Sequence, residues 1–110
     1  MITRRARPRY RVRIEVSHAG GWSAWGTVAG AFEQRLAAQV SPAVAEARLE
    51  SEVRRGRDLV RIRVLVTVAA ADLAQAAVIA WDVLRVAIGD DAPSWNLAAA
   101  SAEIQPAPGP

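Results

Sequence analysis

An α+β sandwich, a four-stranded antiparallel sheet with two helices on one face, is the fold that this 110-residue sequence predicts. Three observations predict it. Apolar and charged residues alternate with a period of two over Tyr10–Val16 and Val60–Val68, the pattern of strands with one buried face. Over residues 24–40 and 72–88 the apolar spacing lengthens to the three and four of a helix. The resulting order is βαββαβ, two βαβ halves, and right-handed crossovers arrange its strands 4-1-3-2.

Each element has its own signals. In the first strand Tyr10, Val12, Ile14 and Val16 alternate with Arg9, Arg11, Arg13 and Glu15. Ser17 to Ser23 reads as a loop around Gly20-Gly21, with Ser23 the expected N-cap of the first helix. Trp25, Val28, Phe32 and Leu36 form that helix's apolar row, which ends before Ser41-Pro42. Ala45, Ala47, Leu49, Ser51 and Val53 alternate with Glu46, Arg48, Glu50 and Glu52 as the second strand, and a turn centred on Gly56 leads to the third. Pairing Val53 with Val60 sets Glu52 beside Arg61 and Glu50 beside Arg63, so apolar and charge matching select one register. The second helix enters at Asp72 as N-cap and leaves at Gly89. On its wheel Leu73, Ala77, Ala80, Trp81, Leu84 and Ile88 mark the core side, with Ile79, Val83 and Val86 facing outward. Trp95 to Gln105 is a weaker, alanine-rich fourth strand.

This arrangement, over about Arg9 to Gln105, resembles the ferredoxin-like fold. That fold hosts unrelated activities, so the resemblance implies architecture and no function. The expected organisation is a flexible basic arm (1–8), a single domain (9–105) and a Pro-rich disordered tail (106–110), because neither end has the apolar surface to offset ordering its backbone.

Composition narrows the function classes. All 14 basic residues are arginine. Six of them, Arg4, Arg5, Arg7, Arg9, Arg11 and Arg13, precede the first acid, leaving eight against 11 acids in the remainder. The basic character is therefore N-terminal, and these six arginines are the candidate contacts for nucleic acid or another acidic partner. No aromatic is interleaved from Arg4 to Arg9 to stack on bases, Tyr10 falls in the apolar row of the first strand, and Arg11, Arg13, Arg61 and Arg63 stand where RNA-binding sheets of this topology carry aromatics. No apolar run follows the early arginines as a signal peptide needs, and none is long enough to span a membrane, so a cytoplasmic location without membrane contact is expected. Cysteine is absent.

The topology gathers one constellation of polar residues. The first strand–helix loop, the hairpin turn and the exit of the second helix meet at one end, bringing together His18, Trp22, Arg55, Asp91 and Trp95 as a candidate small-molecule site. The single histidine has no metal-ligand spacing around it, Asp90-Asp91 is no catalytic pair, and Gly20-Gly21 lacks the remainder of a phosphate loop. No cofactor, metal or catalytic residue is assigned. The helical layer is the stronger candidate. Its only charges are Glu33, Arg35, Asp72, Asp82 and Arg85, and the first helix presents Gly26 and Gly30 outward. An apolar helical layer beside a charged sheet face predicts a non-catalytic protein that forms a homo-oligomer or binds a protein partner through its helices, with Ile79, Val83 and Val86 as anchors.

Overall fold

The computed structural model describes residues 7–107; Arg4, Arg5 and most of the expected arm and tail lie outside the described residues. Along the chain run β1 (Arg9–Ala19), α1 (Gly21–Ala37), β2 (Val44–Arg55), β3 (Leu59–Ala69), α2 (Leu73–Ile88), two 3-10 turns (Gly89–Ser94 and Leu97–Ala99) and β4 (Ser101–Pro106). All pairings are antiparallel, and the sheet is ordered β2-β3-β1-β4, which read from the other edge is 4-1-3-2. Val12, Ile14 and Val16 of β1 meet Val66, Val64 and Ile62 of β3 across the centre, and all six are buried beneath the helices.

β1 is longer than the alternation suggests. Pairing with β3 continues to Ala19↔Leu59 and carries Ser17 and His18 into the sheet. α1 accordingly begins earlier than expected, at Gly21, and its N-cap is Gly20 and not Ser23. The N–H groups of Gly20 and Gly21 both donate to the Asp58 carbonyl, at 2.8 and 3.1 Å. Both glycines have positive φ, and a Cβ on Gly21 would stand 2.5 Å from the Arg57 carbonyl oxygen. The Gly-Gly pair thus lets the β1–α1 corner press against the hairpin turn.

The hairpin register differs by one residue from the expected one. Arg54, not Val53, pairs with Val60; Val53 pairs with Arg61 and Glu52 with Ile62. A three-residue turn with Gly56 at φ +67° sets this register. An irregularity between Leu49 and Ser51 leaves Glu50 without a partner in the ladder and restores Leu49 and Ala47 to the core side. Val53 consequently lies on the outer face and is exposed.

α2 is capped as expected: the Asp72 carboxylate accepts from Gln75 N–H at 2.8 Å, and Gly89 ends the helix at φ +59°. Its rotation is not as expected. The buried face is Ala76, Ala80, Val83, Leu84, Ala87 and Ile88, whereas Leu73 is half exposed and Trp81 lies on a shoulder. Close approach to α1 is the reason. Gln39, just past α1, donates Nε2 to the Val83 carbonyl at 2.8 Å, and Arg35 of α1 donates Nε to the Ala87 carbonyl at 2.6 Å, where it satisfies one of the last carbonyls of α2. At that separation alanine fits the contact, and the large side chains at 73 and 81 are turned away.

β4 is shorter than expected, because Trp95 makes only an isolated bridge with His18 before the chain turns through residues 97–99. It also runs one residue further: Pro106 pairs with Tyr10, and Ala107 N–H donates to the Arg9 carbonyl at 2.9 Å. A proline is tolerated there because β4 is an edge strand. At the other terminus Pro8 accepts from Ala70 N–H, and Arg7 Nη1 reaches Gln75 Oε1 at 3.4 Å, so residues 7 and 8 belong to the domain rather than to a free arm.

Candidate functional site

Three surfaces were candidates, and the structure separates them. At the loop end, His18 points from β1 into the core and is 1% exposed, contrary to the expectation of a loop histidine. Its Nε2 lies 2.7 Å from Asp91 Oδ2, and the same oxygen accepts from Trp95 Nε1–H at 2.9 Å. Trp25 and Trp95 flank the imidazole with ring centroids at 5.4 and 5.1 Å, and Phe32 closes the cluster 4.9 Å from Trp95. Asp91 is positioned by the 3-10 turn after α2, and the backbone bond from Asn96 N–H to the Ser17 carbonyl holds that turn against β1.

Two buried nitrogens in this knot have no hydrogen-bond partner, His18 Nδ1 and Trp25 Nε1. The Trp25 indole N–H can only donate, and the imidazole has its other nitrogen, Nε2, engaged with Asp91. Burial pushes the Asp91 carboxyl up, but the hydrogen bonds from His18 and Trp95 outweigh it and hold the group below the ordinary carboxylate range. The ionised carboxylate therefore stabilises the fold above the unfolded value of 3.8, and that contribution is lost as pH falls through the lower folded value. Asp91→Asn should cost about 1–2 kcal/mol at pH 7. A melting series against pH should show part of the wild-type loss below about pH 4 missing in the variant. An unaltered acid limb would mean that Asp91 is not what titrates.

The knot orients an imidazole but closes it off: one nitrogen is bound to Asp91 and the other is buried. Trp22 and Arg55, the other residues expected at this end, are exposed and outside the hydrogen-bonded group. Trp25 and Phe32 join the knot through ring packing around His18 and Trp95, although sequence reasoning assigned them only to the core. Among the described residues no group of three or more His, Cys, Asp or Glu is placed to hold a metal ion.

The outer sheet face is charged and largely self-paired, through different partners than the hairpin register suggested. Arg63 bonds Glu15, Arg61 approaches it at 3.7 Å, and Arg48 binds Glu46 at 2.9 Å. The Arg63 hydrogen bond holds the Glu15 carboxyl below its ordinary range against the opposing effect of burial, helped by the nearby Arg61 charge. Arg13 reaches across β3 to Glu50 at 2.9 Å, and this bridge passes the outward side of Leu65, which is only 2% exposed. Arg9 and Arg11 have no carboxylate within 4.0 Å among the described residues; Arg7 is held by Gln75.

The helical layer retains exposed apolar surface, with altered membership. Val83 is 4% exposed and belongs to the core, which corrects its place as an outward anchor. Ile79 is half-buried and Val86 is 51% exposed. Among the described residues the most exposed large apolar one is Val78, at 69%. An open groove of about 670 Å³ runs along α2, lined by Ala77, Val78, Ile79 and Trp81 with Val12 and Ala102 of the sheet. On α1, Gly26 and Gly30 are exposed, with open space where a Cβ would stand. A wheel weighted by side-chain size missed Val78 because Leu73 and Trp81 pulled its centre round; the alanines at 76, 80 and 87 were the better signal. No helix among the described residues is long and apolar enough to cross a membrane. The chain matches no family model, no curated protein and no solved structure.

Proposed function

We propose that this chain is a non-catalytic protein of ferredoxin-like fold that works by assembly, homo-oligomeric or with another protein, through its helical layer. The observation that carries the reading is the outer side of α2. Val78 is 69% exposed and Val86 51%, with Ile79 and Trp81 half-buried on either shoulder and an apolar groove beside them. Exposed apolar surface on a helix, with an apolar-lined groove beside it and charge only at Asp82 and Arg85, favours a partner over water. The sheet face supports the same assignment by contrast, since Arg13, Arg48 and Arg63 are already engaged with glutamates and would each need a satisfied partner in a buried contact. Light scattering over a dilution series tests the reading with two exposed substitutions. Val78→Asp is expected to reduce the assembly to monomer, and Arg48→Ala on the sheet to leave it unchanged. The opposite pattern would move the interface to the sheet.

A further inference from the structure

We infer that the occupant of this face is a second copy of the chain, its α2 packed antiparallel on α2 about a twofold axis, so that Asp82 of each copy meets Arg85 of the other. The inference rests on the assembly reading above and adds its partner and geometry. Asp82 and Arg85 are the only charged residues within α2, and both are exposed on the side that carries Val78. Neither has an ion-pair partner within 4.0 Å among the described residues. Anything apolar that covers Val78 must therefore strip water from two unpaired charges, at a cost that forbids a purely apolar occupant.

Two opposite charges three residues apart on one helix are complementary to their own image after a twofold rotation. Antiparallel packing centred between residues 83 and 84 sets Asp82 opposite Arg85 of the partner subunit and, by the same rotation, Arg85 opposite Asp82 of the partner subunit. Both charges are thus satisfied, twice, by a single partner surface. The rotation also brings Val78, the most exposed large apolar side chain among the described residues, over Gly89 of the partner subunit, which has no side chain of its own. Ile79 then lies along the shoulder that carries Val86 of the partner subunit. A parallel arrangement would instead stack like charges at equal heights.

Charge exchange in the full-length chain tests this, with dimer dissociation constants read by sedimentation equilibrium. All the substitutions are at exposed positions, and circular dichroism verifies that each variant is folded. Asp82→Arg and Arg85→Asp should each weaken the dimer at least about tenfold. The two variants mixed, and the double exchange Asp82→Arg/Arg85→Asp, should recover an affinity close to that of the wild type. Single losses without recovery in either rescue would overturn the twofold pairing. A dimer broken by Val78→Asp but indifferent to both charge reversals would also overturn it while leaving the helical interface standing. A dimer that survives Val78→Asp would defeat the interface reading itself.

Discussion

Val83→Asp is expected to destabilise the domain severely, although the sequence read in isolation makes Val83 an outward anchor. The side chain is 4% exposed on the face of α2 that meets the sheet and α1, and its own carbonyl accepts a 2.8 Å bond from Gln39. A carboxylate at that position would be a buried, unpaired charge, costing about 4 kcal/mol or more. A domain of this size has about 5–15 kcal/mol in total, so the loss is a large share of its stability. Val78→Asp, on the exposed side of the same helix, should change the stability of the monomer by no more than about 0.5 kcal/mol, measured below the concentration at which copies associate. Urea titration followed by circular dichroism separates the two. Equal and small effects would return Val83 to the surface and overturn the rotation of α2.

Trp95→Ala should be nearly as damaging. Trp95 is 5% exposed, contacts the rings of His18, Trp25 and Phe32, and donates to Asp91. Its truncation removes a large aromatic from a packed cluster, costing about 3–5 kcal/mol. For a chain of this size that is a fall in melting temperature of roughly 15 °C or more. Trp95→Phe keeps the ring and loses only the indole donor, so a cost near 1 kcal/mol is expected. Were this end a ligand pocket, Trp95→Ala would leave the melting temperature nearly unchanged, because a pocket wall contributes to binding and not to the core.

The parts of the fold that rest on local chemistry were legible in the sequence. The alternation of β1 and β3 is carried by valine, isoleucine and arginine at strict intervals, and the observed buried rows are those residues. Asp72 and Gly89 cap α2 because a carboxylate and an achiral residue suit those positions wherever the helix packs. What depends on a third element was not legible. The expected Glu50–Arg63 pair considered β2 and β3 alone, whereas β1 supplies Glu15 to Arg63 and Arg13 to Glu50. His18 reads as a loop residue until β3 extends β1 past it and the turn after α2 supplies Asp91. The rotation of α2 is decided by how closely α1 approaches, which hydrophobic weight does not encode. Sequence anticipated exposed apolar surface on the helical layer, Val86 included, but placed Val83 on the wrong side of α2 and passed over Val78.

Sedimentation equilibrium of the unaltered chain, from micromolar to millimolar at neutral pH, tests most directly whether the helical layer is where this protein meets another copy. The expected result is a mass that rises with concentration to twice the 11.8 kDa of the chain and no further, as a closed twofold contact requires. A single species of 11.8 kDa throughout would contradict it, and so would growth beyond the dimer without limit.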